Sequence, residues 1–125
     1  MNLRQLFLIS TAIGLVPIAL SYGLAPQQSL SELFGLQVDS VNGFHIFRAI
    51  TGLYLALALF WVMGALRAGL RQAALLSLVV FMLGLAIGRV VSILVDGMPN
   101  TLLQVYLLLE LGIGVVGLLL LKRPD

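Results

Sequence analysis

The sequence contains no cysteine. That excludes disulfides, thiol redox chemistry, iron–sulfur clusters and cysteine-based zinc sites. It contains one histidine, His45, so a single chain cannot supply both axial ligands of a bis-histidine haem. Charge is scarce as well. Asp, Glu, Lys and Arg make up 10% of the 125 residues, against about a quarter in a soluble domain. What fills the chain instead is apolar: 61% of residues are hydrophobic and the mean hydropathy is +1.13. Water-soluble domains and disordered chains do not have this composition; integral membrane proteins do. The length leaves room for one membrane domain.

Four apolar stretches run from about 6–24, 44–66, 73–95 and 101–121. Each approaches the ~20 residues a helix needs to cross a ~30 Å hydrocarbon core. Backbone polar groups must be satisfied within lipid, and strand alternation is absent, so the stretches read as helices. The first could pass for a secretory signal, but its apolar part exceeds a typical h-region and Pro26 follows the small-residue site at Gly23-Leu24-Ala25. It is expected to be a retained span. Arg4, Arg67, Arg71, Lys122 and Arg123 flank the spans on one side if the helices alternate. The opposite loops carry Glu32, Asp39 and Asp96 and no Lys or Arg. The positive-inside rule then places both termini in the cytoplasm, with a bacterial inner (cytoplasmic) membrane as the default location.

The loops differ in kind. Residues 67–71 read as a tight cytoplasmic turn and 96–100 as a tight external one, with Gly97 ending the third span and Pro99 preceding the fourth. Residues 27–42 are longer, with Leu30, Leu33, Phe34 and Val38 at helical spacing and Ser29 available as a cap. They read as a short amphipathic external helix lying at the interface, a lid over the bundle being the alternative. The expected fold class is therefore all-α integral membrane: four transmembrane helices, N-in and C-in, with that short helix between helices 1 and 2.

Three charged residues lie within spans, where they are costly and commonly mark function: Arg48, Arg89 and Glu110. At about 1.5 Å per residue, Arg48 lies roughly 6 Å inside the second span, Arg89 roughly 10 Å below Asp96, and Glu110 roughly 15 Å below Asn100. Helical side chains lean toward their own N-terminus. Helices 3 and 4 run in opposite directions, so that lean brings Arg89 and Glu110 to one depth and predicts a buried pair. Helix 2 runs inward, as helix 4 does, so Arg48 leans outward, toward Asp39, Asp96 and His45. Helical stripes collect Arg89, Ser92 and Asp96; Leu103, Tyr106, Glu110, Gly114 and Gly117; His45, Arg48, Thr51 and Gly52; and Ser10, Gly14, Pro17 and Ser21. If the stripes meet on the bundle axis they form a polar pocket open to the outside. The alternative is an ion network that fixes helix register and does no chemistry.

Other patterns carry less. Gly112, Gly114 and Gly117 match GxGxxG, but inside an apolar span with no preceding strand, so no dinucleotide site is expected. Gly84 and Gly88 form a small-xxx-small pair suited to close helix approach within the chain or with a neighbour; Gly52, Gly114 and Gly117 are further packing positions. Asp39, Asn42 and Asp96 offer oxygen ligands for a weak external cation site. His45 reads as a hydrogen-bonding residue, and Tyr54 and Trp61 as packing. No cofactor, metal or nucleic-acid pattern is present.

FRAITGLYLALALFW (47–61), GRVVSILVDGMP (88–99) and LLLELGIG (107–114) together resemble a family of small bacterial four-helix membrane proteins, catalogued as domain of unknown function 4345. The resemblance covers nearly the whole chain, and its most specific part is the Gly-Arg-x-x-Ser-x-x-x-Asp-Gly-x-Pro string at 88–99. It carries Arg48, Gly52, Gly88, Arg89, Ser92, Asp96, Gly97, Pro99 and Glu110. It implies an inner-membrane location and homo-oligomers, a trimer first, with the lipid bilayer as the other partner. It implies no activity.

The leading functional expectation is a non-enzymatic, cation-handling membrane protein, conducting or coupling H⁺ or Na⁺ through Arg48, Arg89, Asp96 and Glu110, in envelope or membrane-potential homeostasis. A structural or regulatory subunit is the second. A small multidrug-efflux-like transporter is the third; that four-helix family resembles this chain less, because it carries its essential Glu in the first helix and none lies there. There is no nucleophile–base pair and no metal cluster, so an enzyme is not expected.

Overall fold

The computed structural model describes residues 1–123. Five helices follow in order: α1 (Leu3–Gly23), α2 (Pro26–Phe34), α3 (Val41–Leu66), α4 (Ala68–Asp96) and α5 (Thr101–Lys122). No strand occurs among the described residues. α1, α3, α4 and α5 are each long and apolar enough to cross a membrane. The protein is a multi-pass helical membrane protein.

Polar caps set where α1, α3 and α5 begin. At α1, Asn2 accepts from the Gln5 amide at 3.0 Å while the Gln5 side chain accepts from the Asn2 amide at 2.9 Å, a reciprocal capping box. Ser40 caps α3 through the Gly43 amide, and Asn100 caps α5 through the Leu103 amide. α1 and α3 therefore start about one turn before the apolar stretches do.

The expected turn at 67–71 is almost entirely helix. α3 ends at Leu66, α4 begins at Ala68, and Arg67 alone separates them. Arg71 is buried and donates to Gly64 O at 3.1 Å and Ala65 O at 2.9 Å. Its guanidinium satisfies the end carbonyls of α3, which have no partner within their own helix.

α2 is shorter than the amphipathic helix read at 27–42. Pro26 opens it, and Ser29 is inside it, with its amide bonded to Ala25 O. Gly35 stops it in the left-handed conformation at φ 67°, which glycine adopts without the Cβ penalty. Leu30 and Val38 are buried, whereas Leu33 is exposed.

α3 and α4 form the centre. α1 lies along α3 and α5 lies along α4, while α1 and α5 share little direct contact. The core sits between α1, α3 and α4, around Leu8, Leu15, Trp61, Leu75, Leu78 and Met82. Trp61 Nε1 donates to Ser77 Oγ at 3.0 Å, and Ser77 donates onward to Ala74 O.

The small residues divide into two groups. At Gly114 a Cβ would come 2.5 Å from Leu83 Cδ2, and at Gly117 it would come 2.7 Å from Val79 Cγ2. These two let α5 lie close on α4, as expected. Gly52, Gly84 and Gly88 have nothing within 4 Å. Gly84 and Gly88 each follow a buried α4 residue, Met82 and Ala86, by two positions, or about 200° around the helix. They therefore face away from this chain's own helices.

The start of α1 and the end of α5 meet at the α3–α4 join. Arg4 donates to Gln72 Oε1 at 3.2 Å and also to Arg123 O, and Gln5 Nε2 donates to Ala65 O. Arg4, Arg71 and Arg123 thus gather at one end of the bundle. α2 covers the other end: Asn100 Nδ2 donates to Leu33 O at 2.9 Å, and the Phe34 ring meets the Tyr106 ring at 6.4 Å.

Candidate functional site

Arg89 on α4 and Glu110 on α5 form a two-pronged ion pair. Nε donates to Oε1 at 2.7 Å and a terminal nitrogen donates to Oε2 at 3.1 Å. The side chains are 21% and 9% exposed. Opposed helix directions make the geometry, because each side chain leans back along its own helix toward the other's depth. The paired arrangement matches the planar guanidinium fork to both carboxylate oxygens. Tyr106, one turn before Glu110, places its ring centroid 5.7 Å from Arg89 Cζ, within cation–π range. Tyr22 also interacts with the Arg89 guanidinium.

The pair forms part of the wall of a cleft of about 400 Å³ between α1 and α5. Tyr54, Phe81, Met82 and Leu85 contribute from α3 and α4, Leu15 and Ile18 from α1, and Leu109 and Ile113 from α5. Ser10, Gly14 and Leu109 line it while themselves being exposed, so its mouth is the gap between α1 and α5. At the end holding the termini, Phe7 closes in on Gly117, with Cε2 3.6 Å from the place of a Cβ. At the other end, Phe34 packs on Tyr106. Phe7 and Tyr106 thus bound the cleft lengthwise, and its exposed lining lies sideways, between α1 and α5.

This differs from a polar pocket on the bundle axis. The walls are mostly aliphatic and aromatic, because α1 and α5 do not close a ring and the four polar stripes do not converge. Of the α1 stripe, Ser10 and Gly14 reach the cleft, Pro17 is exposed, and Ser21 donates to Ile18 O at 2.7 Å. The α3 stripe faces elsewhere. Arg48 donates to Gly23 O at 2.9 Å, at the carbonyl end of α1 where a cation is favoured. Thr51 donates to Ala19 O at 2.6 Å. Exposed His45 shares a shallow recess with Arg48, Val41, Phe44 and Ala49.

Ser92 and Asp96 do not join Arg89 either. They lie further along its stripe, exposed, with Ser92 Oγ donating to Asp96 Oδ2 at 2.8 Å, while Arg89 leans back the other way. Asp39 and Asn42 are exposed at the start of α3. Among the described residues, no three His, Cys, Asp or Glu side chains gather as a metal site.

All three tyrosines of the chain, Tyr22, Tyr54 and Tyr106, gather around the ion pair. Tyr54 meets Tyr22 edge-on at 5.6 Å and Phe81 at 5.0 Å, and Phe81 meets Trp61 at 5.7 Å. Tyr106 is legible on the Glu110 stripe, whereas Tyr54 reads as packing; at about 1.5 Å per residue, depth alone sets Tyr22 and Tyr54 roughly 12 Å apart, so their meeting follows only from how α1 packs on α3.

The family profile described as "Domain of unknown function (DUF4345)" matches residues 3–121. The chain belongs to this family. No curated protein and no solved structure matches it. In this DUF4345 member the 88–99 string is divided by its surroundings: Arg89 turns inward to Glu110, and Ser92 and Asp96 stay on the exposed surface.

Proposed function

We propose that this DUF4345 protein is a non-enzymatic membrane binding protein that takes a lipophilic molecule from within the bilayer into the α1–α5 cleft. One observation carries the reading: the cleft is apolar, opens sideways between two spanning helices, and contains a few convergent polar groups. Small-molecule sites have this build and are about 300–1,000 Å³ in volume; the cleft, at about 400 Å³, falls in that range. Gly14 tests it, since it lines the mouth with nothing within 4 Å. Gly14→Trp should plug the cleft and cut co-purification of bound lipophile, read by native mass spectrometry, while leaving the melting temperature nearly unchanged. Equal retention by the folded variant would sink the reading.

Cation handling is the second reading, favoured by a carboxylate about 15 Å into its span. Against it, both Glu110 oxygens already accept from Arg89, and the surrounding walls are apolar. H⁺ or Na⁺ flux in proteoliposomes, lost in Glu110→Gln, would favour it over lipophile binding.

We place the protein in a bacterial inner membrane with the arginine-rich end in the cytoplasm, following the positive-inside rule. α2 then lies at the outer face. Cysteine introduced at Gln28 should react with an impermeant reagent from outside, and cysteine at Gly69 should not; the reverse pattern would invert the topology. Self-association rests on the family resemblance and on the open Gly84–Gly88 face, which permits close approach of a second copy.

A further inference from the structure

We infer that the cleft selects an uncharged lipophile whose polar end accepts hydrogen bonds, such as an ester or ketone oxygen, seated against Arg89, Tyr54 and Tyr106. This rests on the binding reading above and adds the chemistry of the ligand.

Charge is the first argument. Arg89 and Glu110 are the only ionised side chains lining the cleft among the described residues, and they neutralise one another. An anionic or cationic head would bring an uncompensated charge into apolar surroundings, where an unpaired ion is strongly disfavoured. A neutral head avoids that cost.

The donors are the second. A guanidinium has five N–H groups; two of Arg89's are used on Glu110 and Tyr22 engages the group as well, which still leaves donors over. Tyr54 and Tyr106 line the cleft, and neither hydroxyl has a hydrogen-bond partner among the described residues. No fully buried side-chain nitrogen or oxygen there is left unpaired, so these free donors are accessible. Within hydrocarbon, where water is scarce, such groups favour an incoming acceptor. Glu110 offers less to a ligand donor, because both its oxygens are engaged.

The shape is the third. With Phe7 at one end and Phe34 with Tyr106 at the other, the way out is past Ser10 and Gly14. A tail attached to the bound head therefore leaves between α1 and α5 into the acyl region.

Four probes of common chain length separate the possibilities: methyl oleate, oleate, oleylamine and octadecene. Binding is measured on the delipidated full chain in dodecyl maltoside, which has no ester, at a pH that keeps oleate and oleylamine ionised. Methyl oleate should saturate at no more than one per chain and bind roughly tenfold tighter than octadecene, the scale of a hydrogen bond to a charged donor. It should also exceed both ionic probes. Tyr54→Phe and Tyr106→Phe should each reduce the ester's advantage by roughly threefold, a neutral hydrogen bond, without altering octadecene. Octadecene binding as tightly as the ester, or either ionic probe binding more tightly, overturns the inference and leaves the cleft reading standing. If no probe saturates, the cleft reading itself fails.

Discussion

Glu110→Ala is expected to destabilise the protein more than Arg89→Ala, with the larger loss near 3–5 kcal/mol. That is the usual cost of stripping one partner from a buried ion pair and leaving the other charge unpaired. The asymmetry follows from chemistry. A stranded carboxyl can neutralise itself by taking up a proton, whereas a guanidinium stays charged. Arg89 without Glu110 therefore remains an ion against apolar walls. Arg89→Met combined with Glu110→Met should recover most of the loss, since apolar residues of similar size often replace a buried pair at little cost. Thermal or denaturant unfolding in one detergent would measure all three. Arg89→Ala costing as much as Glu110→Ala would mean that the carboxylate is held ionised by a partner other than Arg89.

The second large effect is expected at Trp61, which is fully buried at the α1–α3–α4 junction. Trp61→Ala should cost about 3–5 kcal/mol, the usual range for removing a large aromatic side chain from a core. In a bilayer the transfer part of that cost is reduced, because lipid is itself apolar; the lost packing contacts remain. Trp61→Phe should cost less than half as much. It keeps a ring near Phe81, and Ser77 retains its own bond to Ala74 O. Equal losses for Ala and Phe would assign the effect to the indole N–H rather than to volume.

What could be read from the sequence depended on whether one helix at a time was enough. The four spans and the gathering of Arg4, Arg71 and Arg123 at one end follow from hydropathy and from counting helix reversals. The Arg89–Glu110 pair was also legible, because depth and lean are properties of individual helices and α4 and α5 are joined by only four residues, 97–100. Arg48 failed for the complementary reason. Depth says nothing about which way around α3 it points, and that direction is set by α1 packing on α3, with Gly23 O as its acceptor. The nature of the cavity was hidden in the same way. A stripe of Ser10, Gly14, Pro17 and Ser21 reads as polar, yet an apolar cleft results because α1 and α5 stand apart.

The single-residue join at Arg67 has a consequence for how the molecule assembles. Closing so short a connection costs little chain entropy, and the four-residue link from α4 to α5 costs only slightly more. Both hairpins are contacts between neighbours in the chain, the kind that forms early. α1 finds its seat on α3 only across the whole of residues 24–40, with α2 between them. Of the three main helix pairings, α1 on α3 therefore closes the longest connection and carries the largest chain-entropy cost, and the cleft, one wall of which is α1, is complete only when that pairing forms.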